Sequence, residues 1–294
     1  MTKPGHRLLP AVFGLTLPLA LYSTAWATPV LGPSLDTFAV LGQQGVTNVS
    51  PSTIGGNLGS SPDPSIDSGY VFTSGSPQPN TLLAQLAQSD LNTAITAVNS
   101  FGPGNTVTGG DLDAYQASHG GVIAPGTYSV SAATANLVGA LILDGGGSNT
   151  AVWNFLFSST LITATTSTVI VQNVGDGAGV GIYWDVSTQA TLNGSIFEGN
   201  VLAGTAIAVG SDVTIDCGRL ASSTSQVTLI MDTISTGCAN TGFQSSGGFD
   251  QASIGGTGGN GGGTTRVPEP VSAALFGAGL AGAAAIRRRK AKSA

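Results

Sequence analysis

The chain of 294 residues carries only 8% charged side chains, a formal net charge of −6 and 44 glycines against an ordinary 41% of hydrophobic residues. Between Thr28 and Arg266 the only cationic side chains are Arg219 and Arg266 itself, and lysine is absent. So acidic a body offers nothing to a phosphate backbone, which excludes nucleic acid as a partner, and the lack of lysine excludes Schiff-base and lysine-base chemistry there.

Residues 1–27 read as a secretory signal peptide. Lys3 and Arg7 charge its start, an apolar run fills 8–21, and Ala25-Trp26-Ala27 offers a small-x-small cleavage site. In 37–62, Phe38, Val40, Val46, Val49, Ile54 and Leu58 are separated by Gly, Asn, Ser and Pro, the pattern of short strands and turns. Residues 60–78, rich in Pro, Asp, Ser and Gly, read as an irregular excursion or cap. Over 80–101 the period changes: Leu83, Ala87, Leu91, Ala94, Ile95 and Val98 recur at three- and four-residue steps, predicting an amphipathic helix. Asn80 is its expected N-cap, and Gly102-Pro103-Gly104 stops it. A lone helix must bury its stripe, so it is expected to lie along the side of the β-structure.

Strand signals resume at 125 and become periodic in 181–230. Trp184, Leu202 and Leu220 are eighteen residues apart, and Glu198-Gly199 returns as Asp216-Cys217. A second row runs through Ala190-Thr191-Leu192, Ile207-Ala208-Val209 and Val227-Thr228-Leu229. Three short β-pieces per repeat mark a coil that stacks on its neighbours, since one coil cannot bury its own apolar residues. The expected fold is mostly β, a three-sided solenoid.

The chemistry-bearing residues are few. His119 is the only histidine of the body and sits before Gly120-Gly121, in a loop. Asp111-x-Asp113 lacks the remaining ligands of a calcium loop and reads as turn capping. Glu198 stacks over Asp216, and two carboxylates suffice for a glycosidase, but equivalent positions of adjacent coils explain the pair as a ladder. The body reads as non-enzymatic, with no metal and no cofactor. Cys217 and Cys238, the only cysteines, read either as one disulfide closing a loop of about twenty residues, worth roughly 3 kcal/mol, or as two small buried thiols.

What the solenoid offers is a surface. With Ala190/Leu192, Ile207/Val209 and Val227/Leu229 inward, alternation sends Thr191, Ala208 and Thr228 outward. Thr163, from Thr163-Ala164-Thr165 in the preceding coil, extends the expected row, with Thr165 beside it. Regularly spaced hydroxyls and methyls on a rigid plane can hold water in an ordered array, the physical requirement for adsorbing to ice; the same row also reads as threonine serving simply as a good strand residue on a solvated face.

Residues 241–266 are Gly/Ser/Thr-rich and read as a flexible linker. The tail 267–294 opens with Pro268-Glu269-Pro270, continues with an apolar run over 271–286 and ends in Arg287-Arg288-Arg289-Lys290. It resembles a PEP-CTERM sorting tail. That resemblance implies an exosortase-type membrane enzyme as partner, a transient membrane anchor, and then a place at the cell surface or outside the cell. The expected segments are therefore a signal peptide (1–27), a solenoid domain (28–240), a linker (241–266) and a sorting tail (267–294).

Thr37-Phe38-Ala39-Val40-Leu41, Ser52-Thr53-Ile54-Gly55-Gly56-Asn57-Leu58-Gly59, the lone helix, Pro125-Gly126-Thr127-Tyr128, Tyr183-Trp184-Asp185-Val186 and Gly218-Arg219-Leu220-Ala221 are similar to the ice-binding proteins of the DUF3494 type, over about 35–235. The resemblance implies a discontinuous three-faced β-solenoid with one long α-helix along its side, and an ice crystal surface as the partner of a flat face. Two other functions fit an exported acidic solenoid. One is a cell-surface adhesin or biofilm-matrix protein that meets extracellular polysaccharide; the other is a carbohydrate-active β-helix.

Overall fold

The computed structural model describes residues 30–238, 243 and 246–250. The expected signal peptide, most of the linker and the sorting tail lie outside the described residues. The rest is a three-faced parallel β-solenoid with helices α1 (Gly32–Leu35), α2 (Leu82–Ser100) and α3 (Leu112–Ser118).

The alternation seen in the sequence builds the coil. Ala190, Leu192, Ile207, Val209, Val227 and Leu229 are all buried, and the residues between them are not. Each strand pairs in parallel with its counterpart in the next coil, so backbone groups and apolar side chains are satisfied only by stacking. One face is a continuous six-stranded sheet, in the spatial order Val46–Val49, Val227–Ile230, Ile207–Ser211, Ala190–Leu192, Thr160–Thr163 and Thr134–Leu137. We call this the open face. A second face carries α1 and α2 and a third closes the triangle, while α3 packs on Ala140–Asp144 and Thr134–Leu137. These two merge into one twelve-stranded sheet because Ile196–Ala203 and Thr214–Ser222 run round the corner between them.

That corner corrects one sequence expectation. Gly199 takes φ +100 and Cys217 φ 52, and Cys217-Gly218 together oppose the single Gly199, so the second strand carries one extra residue. Trp184 therefore pairs with Val201 and Val201 with Leu220. Leu202 pairs with Asp185 and Ala221 instead, and points out toward α2. The eighteen-residue row was a coincidence of spacing: one inserted residue moves a side chain to the other face.

The solenoid is discontinuous. The first coil of the chain lies beyond the last, with Val40 on Leu220, Thr47 on Thr228 and Ile54 on Ile234. The chain must then return to the far end of the stack, and α2 makes that return. Its 19 residues span about 28 Å, close to six strand spacings of about 4.8 Å. Ala84, Ala87, Leu91, Ala94 and Val98 bury its stripe against Phe38, Leu41, Tyr183, Leu202 and Ala221. Its N-cap is Thr81, whose hydroxyl accepts from the Ala84 amide at 3.3 Å, rather than Asn80. Asn80 has φ 46, a left-handed turn conformation that asparagine tolerates, one residue too early for the cap.

Cys217 and Cys238 are bonded, with Cα atoms 4.5 Å apart, and tie the corner to the end of the next coil. The same corner holds a segment that composition assigns to the linker. The Ile182 amide donates to the Phe249 carbonyl at 3.0 Å, and the Asn200 side chain donates to the carbonyls of Gly248 (3.2 Å) and Phe249 (3.0 Å). Arg219, 2% exposed, donates to the carbonyls of Gly247 (2.9 Å), Gly248 (3.0 Å) and Asp36 (2.8 Å) and pairs with the Asp36 carboxylate. The Tyr183 hydroxyl donates to Asp250 at 2.6 Å. Phe249 is fully buried and packs on Phe243. It fills the gap that opens where Ile196–Ala203 diverges from Gly181–Val186. The boundary expected at 240 therefore moves to at least Asp250: one aromatic in a glycine-rich run is enough to dock it.

Phe249→Ala is expected to cost about 3 kcal/mol through the cavity it leaves, and ending the chain at 240 at least as much. Urea denaturation of residues 28–250 checks this; a loss below about 0.5 kcal/mol would show that the segment is a passenger.

Candidate functional site

Of the three faces, the helix face is covered by α1 and α2. The third face is interrupted, because Ala140–Asp144 and Thr168–Gln172 pair only with each other. The open face is the one continuous sheet that nothing covers among the described residues. Its central outward row, read across the register, is Asn136, Ile162, Thr191, Ala208, Thr228 and Thr47. Six strands at about 4.8 Å spacing make a row about 24 Å long. None of these side chains is charged, so the row presents hydroxyls, methyls and one amide.

The hydroxyls are positioned rather than free to wander. Thr47 donates to Thr228 across the strands at 2.9 Å, the Gln189 amide donates to Thr191 at 3.2 Å, and threonine's restricted χ1 limits the rest. Valine and isoleucine lie one row over, where Val49 is 55% exposed beside Ile230. Such methyls compete with no water for a hydrogen bond, which leaves bound water to be ordered by the neighbouring hydroxyls.

Thr191, Ala208 and Thr228 thus share one outward row. Thr163 does not join them. Leu161 and Thr163 point inward, and Ile162, 39% exposed, takes the outward place beside Thr191. The Thr163 hydroxyl is consumed in the interior, accepting from the Asn193 amide and donating to its carbonyl, both at 2.7 Å. Thr165 lies in the exposed turn after the strand, off the sheet. Thr160, Leu161, Ile162 and Thr163 carry no clear inside–outside contrast, so the sequence does not fix the parity of this strand.

The sequence reading also passed over a second row. On the third face Ile196, Thr214, Thr233, Thr53 and Val71 are successive register partners and point outward. Ile196, Thr214 and Thr233 come from consecutive coils, but Thr53 and Val71 join them from the N-terminal coils, so no local repeat reveals the whole row.

The remaining polar candidates serve the fold. Asp111 caps α3, accepting from the Ala114 amide at 2.8 Å, and Asp113 accepts from the amides of Val138 and Gly139. His119 sits exposed at the end of α3, stacked on Tyr115 at 3.9 Å. Glu198 and Asp216 are direct register partners, 5% and 2% exposed. Burial, and secondarily the charge of Asp216, pushes the Glu198 carboxyl up to about 8. Burial raises Asp185, under α2 beside Asn99, to about 6, and burial, with a smaller push from the charge of Asp212, raises Asp232 to about 6. Among the described residues the pair is buried in the packed corner rather than displayed to a substrate as a glycosidase's carboxylates must be. Among the described residues no cluster of His, Cys, Asp and Glu could hold a metal.

A family model for ice-binding-like proteins matches residues 40–235. The chain belongs to the ice-binding-like family. An ice-binding protein of Nostoc sp. (strain HG1) is 38% identical over 209 residues, covering 68% of this chain and 72% of the relative. Among solved structures, an ice-binding protein from the Antarctic ascomycete Antarctomyces psychrotrophicus is 29% identical, with a TM-score of 0.57, covering 69% of this chain and 95% of the other. One from an Antarctic biological consortium is 27% identical, with a TM-score of 0.59, covering 74% and 95%.

The buried acids set a pH dependence. Each is protonated in the fold over a range where the unfolded chain is ionised, so its contribution is complete below about pH 4 and is lost as pH rises. For Asp185 and Asp232 the loss ends near 6, and for Glu198 near 8. Stability is expected to fall between pH 4 and 8. Glu198→Gln should flatten the upper part of that fall and gain on the order of 1 kcal/mol at pH 9. Parallel stability–pH curves for the two proteins would contradict this assignment.

Proposed function

We propose that the protein adsorbs to ice through the open face and inhibits ice growth or recrystallisation. The observation that carries this reading is the uncharged, unbroken row from Asn136 to Thr47 on a six-stranded sheet backed by a packed core. A rigid plane fixes the spacing of its hydroxyls before it meets water, so little ordering entropy is lost on contact. Adsorbed molecules force the growing front to curve between them, which opposes further growth. No covalent step is needed, in keeping with the sparse catalytic inventory of the body. The relatives' names, each an ice-binding protein, support the same reading.

The second reading places the contact on the third face, favoured by its own Thr53, Thr214 and Thr233 row. The open face is preferred because it is continuous, whereas the third face breaks between Thr168–Gln172 and Ile196–Ala203. In the cell, the protein would be exported and held transiently at the membrane by its tail. An exosortase-type enzyme would then process it near Pro268-Glu269-Pro270, leaving it at the cell surface or secreted.

A recrystallisation assay on residues 28–250 tests the function, and paired variants test the face. Thr191→Tyr lifts the open face off a flat plane and should raise the protein concentration needed by about tenfold, a loss of ~1.4 kcal/mol; Thr233→Tyr should change little. The opposite pattern would move the contact to the third face. Normal grain coarsening with the unaltered protein would remove the ice reading, and glycan binding by that protein would favour an adhesin.

A further inference from the structure

The end of the stack opposite the N-terminal coils carries a groove that the ice-binding reading does not use. Strand Asn105–Val107 is the last strand on that side, paired with Gly126–Val130 and with nothing beyond it among the described residues. Asp111 then bridges to Asn136, and α3 packs against Thr134–Leu137 and Ala140–Asp144. Between the strand and α3 lies a groove of about 470 Å³, inside the usual range of about 300–1,000 Å³ for sites that hold small organic ligands. Asn105, Thr106 and Thr108 line it on one side, and Tyr115, Ser118 and His119 on the other.

The α3 side is an aromatic platform. Tyr115 and His119 stand one helical turn apart, with ring centroids 3.9 Å apart and 18° between their planes. Tyr115 also meets Tyr128 edge-on at 5.7 Å, and Tyr128 stacks on Phe155 at 5.3 Å in the core, so the platform is anchored. The imidazole is held as well: its Nδ1 lies 2.8 Å from the Tyr115 carbonyl and 2.9 Å from the Ser118 hydroxyl. A carbonyl can only accept, so Nδ1 carries the hydrogen and the neutral ring keeps an acceptor at Nε2. The strand side is polar without charge. Thr106 and Thr108 are exposed, and Asn105 donates to the Thr127 carbonyl at 3.4 Å, which leaves its own side-chain oxygen to accept. The carboxylates flanking α3 serve the fold, Asp111 capping the helix and Asp113 accepting from the amides of Val138 and Gly139.

These groups match a neutral sugar. A pyranose ring has a face of C–H groups that loses water favourably against an aromatic ring, and a rim of hydroxyls that each need a donor or an acceptor. A uronate, sulfate or phosphate group would find no cation here: among the described residues the only lysine or arginine is Arg219, buried at the corner under residues 247 and 248. Asp111 and Asp113 would repel such a group. We infer that the α3 end of the solenoid is a second binding site, which takes a neutral hexose unit of a polysaccharide on the Tyr115–His119 stack while Asn105, Thr106 and Thr108 meet its hydroxyls. None of these residues belongs to the row from Asn136 to Thr47. The site therefore leaves the open face uncovered, and it stands apart from the ice-binding reading. With both in place, the protein would join ice to a sugar polymer.

Affinity electrophoresis of the full chain tests this, in native gels that hold a soluble glucan, mannan or galactan, with a polyoxyethylene detergent throughout. At least one neutral gel should retard the protein relative to a gel without polysaccharide, and a gel holding alginate, a polyuronate, should not. His119→Ala should weaken the retardation about fivefold. Thr106→Val, which keeps a strand-forming shape and removes the hydroxyl, should weaken it too. Both variants should leave recrystallisation inhibition as it is, and Thr191→Tyr should leave the retardation as it is. Lack of retardation in all three neutral gels overturns the inference, as does equal retardation by alginate. Retardation that survives His119→Ala and Thr106→Val, or that Thr191→Tyr removes, puts the sugar elsewhere and overturns it as well. Retardation that follows His119 and Thr106 in a protein without effect on ice upholds the site and removes the ice-binding reading alone.

Discussion

No coil of this molecule can stand alone. A single turn of about eighteen residues leaves every strand with unpaired backbone groups on both edges and an apolar interior open above and below. Parallel stacking removes both costs at once, pairing Ala190 with Ile207 and Ile207 with Val227 while joining their side chains into one core. The same constraint dictates the unusual chain path. The stack has two ends that need covering, so the chain lays its first coils at one end and crosses by α2 to the other. Tyr70–Ser74 and Pro77–Pro79 close one end, and α3 packs at the opposite one.

The corner opposite the open face is where stacking is hardest to satisfy. Two strands bend there, one carries an extra residue, and a gap opens between Gly181–Val186 and the next coil. The molecule closes it with groups drawn from far apart in sequence. Arg219 supplies donors to Asp36, Asn200, Gly247 and Gly248, Phe249 fills the volume, and the disulfide holds Cys217 to Cys238. Five N–H donors in a rigid fork make arginine suited to gathering several carbonyls, which accounts for the body's one buried cation. Buried carboxyls beside this corner and under α2 are tolerated because they can stay protonated, a cost that falls on stability at high pH rather than on the shape of the faces.

How legible was this in the sequence? The three-sided solenoid and the side helix were, because strict alternation at 190–192, 207–209 and 227–229 and a 3.6-residue stripe at 83–98 each have one physical solution. Their failures share a cause as well. The bulge at Cys217-Gly218 breaks a spacing argument by one residue, and one residue is the whole difference between Leu202 in the core and Leu202 under α2. Thr163 failed for the same parity reason, since its strand is apolar on both faces. The full row from Ile196 to Val71 and the seat of Phe249 are long-range facts, the row being completed where Thr233 meets Thr53 across 180 residues (233 − 53), and no local pattern encodes that junction.

One surface is thus functional, and the rest of the described molecule keeps it flat and exposed. The most direct measurement grows a single ice crystal in protein of residues 28–250 carrying a dye on its α-amino group, outside the row from Asn136 to Thr47. The account predicts dye confined to particular crystallographic planes of the ice, because a rigid row matches some plane spacings and not others. Ice that excludes the dye uniformly, or takes it up without regard to plane, would contradict it.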